Sequence, residues 1–339
     1  MRPVNCKSLI FATVLAGITV AITPSVIAET AGDQTPGPRY GHEMIYDEAR
    51  EVTVLFGGFG PNGVPQGDTW LWDGEAWRLA AIDGPSPRKW AAAAYDSNRE
   101  VVVLHGGREG QGRNGSSLGD TWIWDGRKWS QVHADGPTPR DHHRAAYDKV
   151  RDRVVLFGGW NGESLEGDTW EWDGFEWKRL ARTGPAPRAP FGLSFHDSLG
   201  FVVLAGGQNL TRAFADMWAW DGLAWKRLEA TVPYSRGFHA MAYSPDSRSV
   251  LLFGGRDGDM LLKDLWAWNG DEWSLLSADG PLRRGIYASA YDKRKCEFLV
   301  HGSGDQINGE WVLDPRTWAW SASSGWRVVS GGEEQLVTD

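Results

Sequence analysis

Residues 67–88 read GDTWLWDGEAWRLAAIDGPSPR, and the phrase returns as GDTWIWDGRKWSQVHADGPTPR at 119–140 and GDTWEWDGFEWKRLARTGPAPR at 167–188. Trp70 and Trp72 lie two residues apart, so on a strand they share one face. Asp73-Gly74 supplies a tight hairpin turn that returns Trp77 to that face. Equivalent Asp-Gly or Asn-Gly turns stand at Asp125, Asp173, Asp221 and Asn269, and SASSG replaces the turn in a sixth copy. Eighteen of the 21 tryptophans occupy these three positions. They therefore read as core, each ring burying roughly 150–250 Å² in the wedge between neighbouring units, and not as a row for stacking sugars.

Working outward, apolar runs such as VTVLFGG and VVVLHGG close on glycine pairs ending at Gly58, Gly107, Gly159, Gly207 and Gly255, weakening to Gly302-Ser303. An arginine ends each connection, at Arg39, Arg88, Arg140, Arg188, Arg236 and Arg284. A unit of this length, about 36–84, 85–136, 137–184, 185–232, 233–280 and 281–330, is too short to fold alone and must bury its faces against its neighbours. Each unit reads as four short strands with no sustained helical periodicity. The pattern predicts an all-β six-bladed β-propeller of four-stranded antiparallel blades. The first unit holds its own first strand and the last its own fourth, so blades should coincide with units, the alternative being closure that borrows the C-terminal WRVVS or the polar tail.

The ends bound the compartment. Arg2 and Lys7 precede the apolar stretch SLIFATVLAGITVAI, and small residues near Ala28 suit cleavage. Residues 1–28 are expected to be a signal peptide and 29–35 a linker, making the protein secreted or periplasmic, with 331–339 a polar tail. The apolar stretch is short for a membrane span, and no later segment is long enough for one. Losing Arg2 and Lys7 moves the net charge from −9 to about −11, which argues against nucleic-acid binding. Cys6 leaves with the leader, so Cys296 is expected to have no partner within the chain.

The double glycine, the Trp-rich hairpin and the arginine before each first strand resemble the kelch repeat family of β-propellers, over about residues 36–330. The resemblance implies a binding scaffold that recognises a protein partner, a glycan or an anionic small molecule. A minority of the family are enzymes, such as galactose oxidase or sialic-acid mutarotases, and a carbohydrate-active mutarotase or epimerase is the alternative. Copper chemistry of the galactose-oxidase kind is disfavoured, because Cys296 lies in DKRKCEFL, on the rim opposite the glycine pairs. The sequence contains no phosphate loop, Ser/His/Asp signature or paired metal motif, so neither a cofactor nor a metal is expected.

Candidate binding residues follow from this geometry. Six arginines on equivalent connections would crowd one rim, where guanidinium forks suit carboxylate or phosphate. Asp68, Asp120, Asp168, Asp216 and Asp264 recur nearby and could neutralise them internally. Irregular loop residues stand out from the repeat: Arg108, Arg113, Asn161, Asn209, Arg212, Arg256, Asp257 and Asp259, with Glu109 and Glu163 as candidate acid/base groups. Trp90, Trp160 and Trp311 fall outside the repeat positions. His42, His143 and His239 each lie three residues after a repeated arginine. They are read as cross-strand packing partners of Phe56, Phe157 and Phe253, with Ala91/His105, Phe191/Ala205 and Tyr287/His301 completing the set. His142 is the exception and the better ligand candidate. A monomer binding through its loop rim is the expectation.

Overall fold

The computed structural model describes residues 34–110, 115–181, 183–281, 288–307, 310–332 and 335–337. The proposed signal peptide and most of the linker, together with Arg113 and Arg284, lie outside them. Six antiparallel sheets, each hydrogen-bonded in chain order, form the blades of a propeller. Their first strands, Glu43–Asp47, Ala92–Asp96, Arg144–Asp148, Gly192–His196, Ala240–Ser244 and Ala288–Asp292, are innermost around the axis. The strand of blade six packs against that of blade one, closing the ring. Every blade comes from one sequence unit, with no strand exchanged at the closure. The tail segment adds a strand elsewhere: Gln335–Val337 pairs with Glu310–Leu313, which pairs with Gly304–Ile307, in the loop region of blade six. Among the described residues no helix is long and apolar enough to cross a membrane.

The three tryptophans of each hairpin have separate roles. Trp72 lies opposite Trp77 in register, with ring centroids 5.5 Å apart, and is 2% exposed. The Trp70 indole donates to Asp68 at 2.6 Å, and the Trp122, Trp170, Trp218 and Trp266 indoles repeat this contact on their own aspartates. The third tryptophan ties blade to blade. Trp129 Nε1 donates to Thr69 of blade one, Trp177 to Thr121, Trp225 to Thr169 and Trp77 to Thr317 of blade six, all at 2.8–2.9 Å. In blades four and five the threonine position holds Met217 and Leu265, and the corresponding indole nitrogens, Trp273 Nε1 and Trp326 Nε1, are buried without a partner.

The histidine set packs as expected in kind but through a different pairing. Phe56 lies opposite Glu43, not His42, and His105 lies opposite Ala92, because the register is shifted by one from the expected one. The rings instead meet across blade boundaries: His42 contacts His301 of blade six at 5.3 Å, His143 contacts His105 of blade two at 5.6 Å, and Phe191 contacts Phe157 of blade three at 5.6 Å. Complementary volumes at these positions are therefore set between units. Burial drives the pKa values of His105, His239 and His301 down to about 3, with nearby arginines adding to the effect. Cys296 stands in the first turn of blade six, between strands Ala288–Asp292 and Glu297–His301. The chain's other cysteine, Cys6, lies outside the described residues.

Candidate functional site

The repeated arginines are not a rim. Arg39, Arg88, Arg140, Arg188 and Arg236 are 0–3% exposed. Each forks onto one aspartate, as in Arg88 Nη1 and Nη2 to Asp120 at 2.6 and 2.9 Å, and donates to the first glycine carbonyl of its pair, as in Arg88 to Gly106 at 3.0 Å. Arg39, Arg140, Arg188 and Arg236 repeat the fork on Asp68, Asp168, Asp216 and Asp264. Burial pushes the Asp68, Asp120, Asp168 and Asp264 carboxyls up. The arginine hydrogen bonds and charge outweigh that, and their pKa values lie below the usual carboxylate range. Of the two readings, a ligand-binding ring or internal neutralisation by the aspartates, these five arginines follow the second: they are walls of the scaffold. Gly57 belongs to this joint, since its φ of +70° and a Cβ position 2.7 Å from the Arg88 carbonyl exclude a side chain.

What faces solvent on the loop side is irregular. Arg212 is exposed over the Phe214 ring at 5.0 Å, and Arg256 is exposed over Phe238 at 5.1 Å. Arg108 is half-buried, 3.7 Å from Asp141. Trp160 is half-buried in bridges to Asp141 and Leu165, while Trp311 lies on strand Glu310–Leu313 opposite Gln306 and Val337. Asn161 and Asn209 are turn residues, capping Glu163 and Ser164, and Thr211 and Arg212. Asp257 accepts from Ser235, Asp259 is exposed, and Glu109 and Glu163 are exposed. The structure thus groups Arg108 with His142 through Asp141, to which the Trp160 backbone is also bridged, and Arg256 with Phe238.

His142 sits at that mouth. Its Nδ1 pairs with Asp141 at 2.5 Å, its ring stacks on Trp90 at 3.9 Å, and Phe238 meets it edge-on at 6.4 Å. Burial lowers its pKa even against Asp141, leaving a neutral ring whose Nδ1–H is spent on the carboxylate. Trp90, His142 and Phe238 all hold left-handed backbone, φ 56–58°, at the position where blade one has Gly41. Such conformations are costly without glycine and cluster at functional surfaces. Beside them the Lys89 ammonium lies over Phe59 at 3.8 Å and Trp90 at 4.3 Å, and the residue is 3% exposed. Burial, aided by Arg108, brings its pKa down to about 8.

Sequence reasoning missed Lys89, Asp141, Glu43 and Arg144. The last two occupy the fourth position after the repeated arginine, which holds Ala92, Gly192, Ala240 and Ala288 in the other blades. Two opposite charges among four small residues were a legible signal. Among the described residues no group of three or more His, Cys, Asp or Glu could hold a metal ion.

Comparison with known proteins places this geometry in a context. Residues 73–231 match the family model of the KLHDC2/KLHL20/DRC7 Kelch-repeats domain. An F-box/kelch-repeat protein of Arabidopsis thaliana is 30% identical over 140 residues, which cover 37% of this chain and 28% of that protein. The alignment therefore spans under a third of the plant protein's length.

Proposed function

The chain is a kelch-repeat β-propeller, and from that premise we propose that it binds a protein partner through its loop face. The observation that carries this is the contrast between scaffold and loops. The five described repeat arginines are buried and paired with aspartates. The non-repeating Arg212 and Arg256, each over an aromatic ring, are left on the surface around an aromatic mouth. Arginine on aromatic rings is the composition of interaction hot spots. The family supports the same reading, since kelch propellers typically serve as protein-interaction modules. The carbohydrate-active alternative gains no support, because Glu109 and Glu163 are exposed and the five described repeat arginines are committed to aspartates.

The proposal includes export by residues 1–28 and a monomeric mature chain, which N-terminal sequencing and light scattering of that chain would test. The binding test is capture of partners from the exported fraction by the wild type, by the Arg212→Glu/Arg256→Glu variant, and by a Phe175→Asp variant. Phe175 lies 79% exposed in a third-to-fourth-strand turn, on the face away from the loops. A partner lost with the arginine variant and kept with Phe175→Asp supports the reading. The reverse pattern refutes it.

A further inference from the structure

The charge pair on the propeller axis has no place in the scaffold. Glu43 of blade one and Arg144 of blade three approach across the channel to 3.7 Å, an ion pair too long for a hydrogen bond. Among the described residues the Glu43 carboxylate accepts no hydrogen bond, and the Arg144 guanidinium donates one, at 3.2 Å, to the His143 carbonyl. The two residues join two voids. Toward the loops is a neck of about 20 Å³ lined by Trp90, His142 and Phe238. Below it lies a cavity of about 100 Å³ whose walls include His42, His239, Met241 and Ser289. A void needs only roughly 10–15 Å³ on this measure to hold one water, so the lower one has room for a small organic molecule. His42, 4% exposed, lines both voids with neither ring nitrogen bonded.

Fold economy does not explain this arrangement. Four blades place alanine or glycine at the same position and close the ring equally well. Burial holds the Glu43 carboxyl up, to about 7, despite Arg144, so the pair is a poor stabiliser in its own right. Buried charges retained without a structural gain mark a site.

We propose that the axial cavity binds a small α-amino acid as its zwitterion, the ligand carboxylate on Arg144 and its ammonium on Glu43. The two protein charges lie close together, so a ligand that answers both must carry its opposite charges close together too. An α-amino acid holds them on one carbon. The small residues Gly192, Ala240 and Ala288 leave the volume for it.

The test is calorimetric titration of the full chain with glycine and L-alanine, and with N-acetylglycine, glycinamide and β-alanine. Saturable binding of glycine or alanine is expected, with affinity at least tenfold weaker for the two singly charged analogues and for β-alanine. Arg144→Gln and Glu43→Gln should each weaken glycine at least tenfold, and melting curves would show that they fold. If either variant fails to fold, the wild-type comparison of glycine with N-acetylglycine and glycinamide decides alone. Absence of saturable glycine or alanine binding overturns the proposal. So does glycine binding unchanged in Arg144→Gln. N-acetylglycine matching glycine overturns it as well, since that outcome assigns the cavity to a peptide carboxyl terminus.

Discussion

Replacing Thr69 by valine tests the blade-to-blade hydrogen bond with little change of shape. Thr69 is fully buried and its hydroxyl accepts from Trp129 Nε1 at 2.8 Å. Valine removes the acceptor and strands a buried indole N–H, at a cost of about 1–3 kcal/mol. With an unfolding entropy of about 2.1 cal/mol/K per residue over roughly 300 residues, 2 kcal/mol lowers Tm by about 3 °C. The assay is urea unfolding of a double-mutant cycle with Trp129→Phe, which keeps a ring and removes the donor. Thr69→Val should cost about 2 kcal/mol in the wild type and close to nothing beside phenylalanine. A further arm uses Trp273→Phe, where the indole already lacks a partner, and should cost less than Trp129→Phe by about the same amount. Equal costs for Thr69→Val in both backgrounds would refute the reasoning.

Further outcomes follow from the same contacts. Arg188→Met, which leaves Asp216 without its fork, should cost about 3–5 kcal/mol, against under about 0.5 kcal/mol for the exposed Arg212→Met; urea midpoints compare them. His105, His239 and His301 are held neutral by burial, with pKa values of about 3. The unfolded chain binds their protons near pH 6.5, so their stabilisation is complete above that pH and is lost as pH falls from 6.5 toward 3, at about 1.4 kcal/mol per pH unit for each. Urea midpoints at pH 7, 6 and 5 should drop, and a flat profile would contradict this. Glu43 runs the other way: its raised pKa means that stability falls as pH rises from about 4.5 to 7. Glu43→Gln should therefore gain on the wild type at pH 8 and match it near pH 4, measured by thermal melts.

Hydrogen exchange should find blade five the least protected. Arg50, Arg99 and Arg151 reach from blades one, two and three to backbone carbonyls of the next blade, and Arg294 and Lys295 reach from blade six to blade one. Among the described residues no such latch leaves blade four or five. Those two boundaries also lack the indole–threonine bond. Amides of Ser249–Phe253 should exchange before those of Arg153–Phe157, and the opposite order would sink the idea.

Several of these features can be read directly from the chain. An Asp-x-x-Arg or Asp-x-x-Lys step stands at Asp47/Arg50, Asp96/Arg99, Asp148/Arg151 and Asp292/Lys295, but His196/Leu199 and Ser244/Ser247 replace it, so the weak blade leaves a trace in the repeat. The charge anomaly at Glu43 and Arg144 leaves another.

Closure without exchange was decided by the structure, while the sequence by itself determined the blade count and the four strands of each blade. These depend on short-range chemistry: Asp-Gly turns and the period-two tryptophans repeat often enough to identify themselves. Only the tertiary structure decided which partners meet. His42 contacts His301, Trp129 bonds to Thr69, Arg39 is buried on Asp68, and Glu43 faces Arg144 across the axis. Each contact is set by how one blade is rotated and stacked on another, and that relation is written in no single repeat. The arginines looked like a rim because they recur on connections. Burial, which is a property of the closed ring, turned the five described ones into walls and left the irregular Arg212 and Arg256 exposed.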